Sequence, residues 1–165
     1  MEIITFLLSV LALLWGTVDN TVSEHMSTTT DPVLAEVVRV IDGDTIAVSI
    51  DGVQETVRYI GIDTPEPYRD GEPACFSQEA SDRNKQLVAN QWVTLVADVE
   101  NRDRYDRLLR YVYVDDVFVN EVLVADGYAT ALYIKPNVAK ATQFSQLEDE
   151  AQAAGRGLWT ACVKR

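Results

Sequence analysis

Residues 45–60 read TIAVSIDGVQETVRYI, in which two runs rich in β-branched side chains flank the dipeptide Asp51-Gly52. β-Branched residues favour extended strands, and Asp and Gly tolerate the positive φ angles that a tight turn needs. The pattern therefore predicts an antiparallel hairpin, with one strand at residues 45–50 and the next at residues 55–60.

The two-residue turn also fixes the register of this hairpin. Counting back from the turn places Thr45 opposite Arg58 and Asp44 opposite Tyr59, so Asp44 and Arg58 are expected close together. The polar turn at residues 63–66 follows the second strand and is expected at the same end of the sheet. The face that each side chain occupies stays open, because a single bulge would invert the alternation.

Further strand and helix signals lie on both sides of the hairpin. Strands are predicted at residues 35–40, 92–97, 108–114 and 117–119, and helices at residues 76–90, 120–125 and 140–154. Asn120 is predicted to cap the second helix and Gly127 to end it. A meander of about five strands with interposed helices indicates an α+β domain: a five-stranded OB-fold-type β-barrel with about three packed helices.

The chain has 165 residues, of which 47% are hydrophobic and 24% charged, a composition typical of one globular domain. The formal net charge is −12, and because the first thirty residues hold three acidic and no basic side chains, the remainder carries −9. This balance argues against a protein that holds duplex nucleic acid through a broad basic face. It permits a catalyst, since a divalent cation and a few arginines can make one site locally positive.

The N-terminal part of the chain differs in composition from the rest. Residues 3–15 form an almost unbroken apolar run, too short to cross a bilayer comfortably, and no positive charge precedes it. We interpret residues 1–20 as a signal peptide or an uncleaved N-terminal anchor, residues 21–32 as a polar linker, and residues 33–165 as the folded domain. A buried core segment is the remaining alternative for the apolar run. The expected location is extracellular, or membrane-anchored if the segment is not cleaved.

The two cysteines bear on the same question. Cys75 stands at the head of the first predicted helix, and Cys162 lies almost at the C-terminus. Export would let them form a disulfide that closes most of the domain. The alternative is a pair of buried, reduced thiols.

Two acidic clusters stand at strand ends: residues 42–45 (DGDT) precede the first hairpin strand, and residues 63–66 (DTPE) follow the second. Carboxylate oxygens suit Ca²⁺ or Mg²⁺, whereas zinc calls for His or Cys. The only histidine is His25, in the linker, so a histidine-based nuclease or metalloprotease has none in the domain to use. Taken singly, each cluster is equally typical of an ordinary turn.

Three motifs together resemble the signature of the staphylococcal (micrococcal) nuclease family, also called thermonucleases. They are VIDGDT at residues 40–45, VRYIGIDTPE at residues 57–66 and DRYDR at residues 103–107. The resemblance extends through residues 119–129 and 135–137 to residues 157–159, and so covers essentially all of the chain from Val33 onward. The middle motif is highly specific, and the outer two support it.

The resemblance implies a calcium site and a nucleic-acid substrate. It implies that Asp44 and Asp63 bind Ca²⁺ through their carboxylates, with the main-chain carbonyl of Thr64 as a further ligand. The substrate class is DNA, RNA or both, and the implied products carry 3′-phosphates and 5′-hydroxyls. Nothing in the sequence calls for a stable protein partner or for more than a monomer.

The resemblance also implies the residues that act on the phosphate. Arg58 and Arg107 are expected to bind the scissile phosphate, and Glu66 to take a proton from the attacking water. Two guanidinium groups can bind the non-bridging oxygens and hold them more tightly as negative charge develops. A carboxylate is an acceptable base when the metal or an arginine also polarises the water.

The chain departs from the family pattern near the second arginine. Asp106 stands where the family often has glycine, and its carboxylate could either pair with Arg107 or point to solvent. Tyr105 matches the family and is a candidate for stacking on a base. Tyr133 is a second candidate in a segment that reproduces the family tyrosines only in part.

Two other functions are compatible with parts of the pattern. A non-catalytic OB-fold module that binds nucleic acid would use the same barrel, but would have no need of Glu66 or of the paired arginines. A calcium-stabilised structural domain would need only the two aspartates. The presence of all five charged residues together favours the nuclease.

Overall fold

The computed structural model describes residues 31–67 and 72–162. The apolar run at residues 3–15 and nearly all of the linker lie outside the described residues. Eight strands are described: β1 (Val33–Val40), β2 (Thr45–Ile50), β3 (Val53–Tyr59), β4 (Ile62–Asp63), β5 (Trp92–Val96), β6 (Leu108–Val114), β7 (Val117–Phe118) and β8 (Thr130–Ala131). The described helices are α1 (Ser77–Val88), α2 (Val119–Ala125), α3 (Ala141–Ala153) and the single turn α4 (Leu158–Ala161).

Five of these strands close into a barrel. β1 pairs antiparallel with β2 and β5, β2 pairs with β3, and β5 pairs with β6. A parallel pairing between β3 and β6 completes the ring. The α+β barrel of the OB type is therefore confirmed, with three main helices packed around it and one additional short helix.

The predicted hairpin register is confirmed. Thr45 pairs with Arg58 across β2 and β3. The backbone N–H of Tyr59 donates to the carbonyl of Asp44 at 2.9 Å, one position further along. This register brings the residues that precede β2 to the end of β3, where the polar turn at residues 63–66 begins.

The barrel interior is filled by side chains that alternate along the strands. Ile46 and Val48 of β2 are fully buried, as are Val57 of β3 and Leu95 of β5. Removing one such side chain from water stabilises the fold by roughly 1.5–3 kcal/mol. Side chains at the alternate positions, such as Arg58 of β3, are only partly buried and can contribute to a site on the barrel surface.

The prediction for Asn120 is wrong. Asn120 lies inside α2 and is fully buried, whereas the N-cap position is Phe118, which makes no side-chain capping bond. The amide of Asn120 donates to the carbonyl of Ile60 and accepts from the N–H of Val112, both at 2.9 Å. Buried backbone groups need partners, and Asn120 supplies two of them between helix and barrel. Gly127 does follow the end of α2 with a φ of +76°, as predicted.

A disulfide joins Cys75 to Cys162, across a sequence separation of 87 residues. It connects the segment before α1 to the residue that follows α4.

Of the helices in residues 31–67 and 72–162, none combines the length and apolar character needed to cross a membrane.

Candidate active site

The turn before β2 is organised by its own carboxylates. Asp42 accepts a hydrogen bond from the N–H of Asp44 at 3.1 Å, and the N–H of Ile41 donates to the carbonyl of Thr45 at 2.9 Å. Such local bonds let Asp direct its neighbours into a turn. The turn leaves Asp44 only 2% exposed.

Asp44 also connects this turn to the segment after β4. One carboxylate oxygen accepts from both the N–H and the hydroxyl of Thr64, at 2.7 and 2.9 Å. The other oxygen accepts from the hydroxyl of Thr45 at 3.1 Å. The two acidic clusters therefore meet in space, as the hairpin register predicts.

Arg58 lies between the two predicted metal ligands. Its guanidinium forms an ion pair with Asp44 and a second one with Asp63, the latter with a nitrogen–oxygen distance of 2.6 Å. The Asp44 side chain is buried, whereas 47% of the Asp63 side chain is exposed. Both carboxylates thus converge on one guanidinium, at a spot that solvent reaches from the Asp63 side.

The residues at this spot fit a hard divalent cation. Two carboxylates outnumber the one guanidinium that they contact, so the cluster retains negative charge and offers oxygen donors of the kind that Ca²⁺ and Mg²⁺ prefer. Within the described ranges no group of three or more His, Cys, Asp or Glu side chains is placed to hold a metal. A cation at Asp44 and Asp63 would therefore fill its shell with backbone and water oxygens.

Arg107 is held by Asp103, a residue to which the sequence motifs gave no role. One Asp103 oxygen accepts from Nε and Nη2 of Arg107, both at 2.7 Å, and the other accepts from the backbone N–H groups of Tyr105 and Arg107. Partial burial favours the neutral acid, but the hydrogen bonds from Arg107 hold the pKa of Asp103 below its ordinary value. The sequence carried no signal for this pair, because residues 101–107 form a loop in which a four-residue spacing does not by itself bring side chains together.

Arg58 and Arg107 line the same groove, of about 440 Å³, which we call the active-site groove. Tyr105 lines it too and is 63% exposed, with the guanidinium carbons of Arg104 and Arg107 lying 4.7 and 5.4 Å from its ring centroid. Tyr133 is not among the lining residues; its hydroxyl donates to the carbonyl of Ala141 at 3.1 Å.

Asp106 does not pair with Arg107. Its side chain is 87% exposed, and the cation closest to it is Arg102, at 3.6 Å. Asp106 has a φ of +66°, in the left-handed region that glycine adopts without strain. This backbone conformation explains why glycine suits the position. The aspartate side chain points to solvent and not toward Arg107.

Glu66 stands two residues after Thr64 and is exposed. Its backbone carbonyl accepts from the N–H of Ala74 at 3.0 Å, which fixes the chain on its C-terminal side. The Glu66 side chain is open to solvent, and the residue follows Thr64, the partner of Asp44, by two positions in the sequence.

A buried asparagine of α1 holds the acidic turn in place through a hydrogen bond to its backbone. Asn84 of α1 is fully buried; its amide donates to the carbonyl of Asp42, and its oxygen accepts from the hydroxyl of Tyr59, both at 2.9 Å. Burial raises the pKa of Asp42, although a hydrogen bond from Thr45 and the charges of the two site arginines oppose this effect. Asn84 gave no signal in the sequence, because its partners are 25 and 42 residues away.

Gly43 allows the acidic turn to approach Thr64. A Cβ on Gly43 would lie 2.6 Å from the Thr64 hydroxyl and 2.8 Å from its Cβ, closer than real contacts allow. We expect Gly43→Ala to displace Thr64, and with it Asp44, and so to lower both the melting temperature and kcat, the latter by roughly tenfold or more.

Gly52→Ala is the matched control for this substitution. Its Cβ would meet open space, but its φ of +83° is unfavourable for alanine. Circular dichroism melting should therefore show a loss of stability, of roughly 1–2 kcal/mol, and steady-state assays should show an unchanged kcat. An unchanged kcat for Gly43→Ala as well would show that the close approach does not position Asp44.

Known proteins similar to this chain identify its family. The family model described as "Staphylococcal nuclease homologue" matches residues 56–161. The thermonuclease of Staphylococcus hyicus is 40% identical over 126 residues, which cover 76% of this chain and 75% of that protein. The thermonuclease of Staphylococcus intermedius is 40% identical over 122 residues, 73% of each chain. Endonuclease YncB of Bacillus subtilis (strain 168) is 41% identical over 127 residues, 74% of this chain and 59% of that protein. The chain therefore belongs to the staphylococcal nuclease family.

Proposed function

We propose that this chain is a calcium-dependent nuclease. It cleaves DNA, RNA or both by metal-assisted attack of water on the phosphate, and leaves 3′-phosphate and 5′-hydroxyl ends. The observation that carries the proposal is the contact of Arg58 with both Asp44 and Asp63, beside a groove that Arg58 shares with Arg107. The relatives are thermonucleases and an endonuclease, which supports hydrolysis of nucleic acid by this chain.

The two arginines bind the phosphate. Asp103 occupies Nε and Nη2 of Arg107, which leaves the remaining N–H groups of that guanidinium for a ligand in the groove. Guanidinium groups match the geometry of phosphate oxygens, and they stabilise the transition state more than the substrate as negative charge develops. Because Asp103 already holds the guanidinium of Arg107 in place, this side chain does not have to reorient as the transition state forms.

The two aspartates hold the metal. Asp44 and Asp63, with the main-chain carbonyl of Thr64, would bind Ca²⁺, which supplies positive charge beside the phosphate and polarises water. The hydrogen bonds from Thr64 and Thr45 keep the buried Asp44 carboxylate in one orientation. The ion pair with Arg58 compensates part of the charge of this buried carboxylate.

Glu66 accepts the proton of the attacking water. Its carboxylate is exposed, and Glu66 lies two residues after Thr64 in the sequence. The proposal places this carboxylate next to a water molecule that is bound near the metal ligands. A glutamate carboxylate can act as a base toward a water molecule that a metal polarises.

We also propose that the enzyme acts outside the cell. The disulfide between Cys75 and Cys162 supports this location, because such bonds persist in oxidising compartments. The short apolar run at residues 3–15 is consistent with export.

The proposal is tested by incubating the full domain with single-stranded DNA and with RNA in the presence of Ca²⁺, of EDTA and of Mg²⁺. We expect cleavage in Ca²⁺, none in EDTA, and little in Mg²⁺, which requires a stricter octahedral shell. End-labelled products should carry 3′-phosphates. Binding of both substrates without cleavage in any metal would instead identify a non-catalytic binding module.

A further inference from the structure

A second groove, also of about 440 Å³, lies between β1 and α1, and we call it the β1–α1 groove. Ile41, which immediately precedes the acidic turn, lines one side of it, and so does Pro67, which immediately follows Glu66. No residue lines both this groove and the active-site groove. The β1–α1 groove is therefore separate from the active-site groove, and two of its lining residues are sequence neighbours of the acidic turn and of Glu66.

The cations of this groove stand out within an acidic chain. Arg39 and Lys85 both line it and are exposed, and neither forms an ion pair with any residue of the described ranges. Asp82 also lines the groove, but it accepts a hydrogen bond from Gln78 at 3.1 Å. Arg39 and Lys85 together outnumber Asp82, so the described lining residues carry one net positive charge (2 − 1), although the chain as a whole carries −12.

The groove also exposes apolar surface beside these cations. Val38 is 50% exposed and Ile41 is 39% exposed, and both are lining residues. An unpaired strand of nucleic acid offers its phosphates to such cations, and its exposed base faces can pack on such apolar side chains.

We propose that the β1–α1 groove binds single-stranded substrate beyond the scissile phosphate. Arg39 and Lys85 contact backbone phosphates, while Val38 and Ile41 contact bases. This inference rests on the proposed nuclease function, since it places the two grooves on either side of one bond to be cut. It explains how an acidic enzyme can hold a long, negatively charged strand without a broad basic face.

The test compares a short and a long substrate. Kinetics are measured for a dinucleotide and for a ten-nucleotide single-stranded DNA with Arg39→Gln, Lys85→Gln and the double variant. We expect KM for the long substrate to rise roughly three- to tenfold for each substitution, with kcat/KM for the dinucleotide unchanged. The dependence of log KM on log salt concentration should become shallower by about 0.7 for each cation removed.

Two further variants make the comparison specific. Lys140→Gln removes a positive charge that lines neither groove, and should leave KM and the salt dependence at their wild-type values. Asp82→Asn removes the carboxylate of the β1–α1 groove, and should lower KM for the long substrate. Melting temperatures of all variants should match the wild type, because these side chains are exposed or partly exposed.

The outcomes separate this inference from the proposed function. If the wild type cleaves both substrates and the double variant keeps its KM and salt dependence for the long one, the β1–α1 groove does not bind substrate, and the nuclease function stands. An equal loss on the dinucleotide would also overturn the inference, because it would place Arg39 and Lys85 in the catalytic centre. If the wild type cleaves neither substrate, the proposed function fails. Fluorescence anisotropy of a labelled ten-nucleotide strand, with wild type and double variant in Ca²⁺, then still decides whether the groove binds it.

Discussion

Replacement of Arg58 or Arg107 by alanine is expected to lower kcat on single-stranded DNA by at least about 10²-fold, the scale of losing one transition-state contact. Both side chains line the active-site groove, and a phosphate bound there would have guanidinium groups available from two elements of the barrel. Glu66→Gln should cause a comparable loss, because the amide cannot accept the proton of the attacking water.

The two arginines should differ in their effect on stability. Arg58 neutralises Asp44, whose side chain is 2% exposed, so Arg58→Ala leaves a buried carboxylate without its partner and should destabilise the domain by about 3–5 kcal/mol. Arg107 is partly exposed, as is its partner Asp103, so Arg107→Ala should have a much smaller effect on melting. Arg58→Lys retains the positive charge and should retain the fold, but it lacks the planar guanidinium that can bind two phosphate oxygens at once. It should therefore still lower kcat.

These variants are measured by steady-state kinetics in Ca²⁺ and by thermal melting of the same samples. Arg83→Ala is the control, because Arg83 pairs with the exposed Asp126 outside the active-site groove and should leave kcat unchanged. Wild-type rates for the Arg107→Ala and Glu66→Gln variants would remove the catalytic roles proposed for both. A folded Arg58→Lys variant with full activity would do the same for Arg58.

The backbone around the site could be predicted from the sequence, since it depends on local rules. The Asp51-Gly52 turn has two residues, so the pairing of Thr45 with Arg58 followed by counting alone. That pairing in turn placed the acidic turn beside residues 63–66. Counting along the strands could not predict which face of the sheet each side chain occupies. β1 contains a register shift near Val37, and an irregularity of this kind inverts the alternation of side chains between the two faces.

Side chains that support the site could not be predicted in the same way. Asn84 and Asn120 are buried amides that satisfy backbone groups far along the chain, and residue type alone does not reveal such partners. Asn120 was predicted as a helix cap because asparagine commonly caps helices, but its side-chain oxygen, the atom that would cap a helix, accepts from the buried N–H of Val112 instead. The role of Asp103 likewise depends on a loop conformation that turns it toward Arg107.

Loss of the Cys75–Cys162 disulfide is expected to lower the stability of the domain as strongly as the loss of Arg58 does. The bond closes a loop of 87 residues, for which the chain-entropy model gives an upper value of about 4–5 kcal/mol. Its position strengthens this expectation. It fastens the start of α1, where the N-cap residue Phe76 makes no side-chain capping bond and has a φ of +70°.

The same bond has an indirect connection with the site. α1 carries Asn84, which holds the carbonyl of Asp42, so loosening the start of α1 affects the element that supports the acidic turn. None of the site contacts involves a cysteine. Below the melting transition, kcat should therefore stay close to the wild-type value, whereas the melting temperature falls.

The measurement is thermal melting of the wild type with and without a reductant, beside Cys75→Ser, Cys162→Ser and the double variant. Either single substitution breaks the bond, so all three variants and the reduced wild type should melt together, roughly 10 °C or more below the oxidised wild type. Mass spectrometry after alkylation without reductant should find no free thiol. Two alkylated thiols together with an unchanged melting curve would restore the alternative of reduced cysteines, and would remove the disulfide as support for an extracellular enzyme.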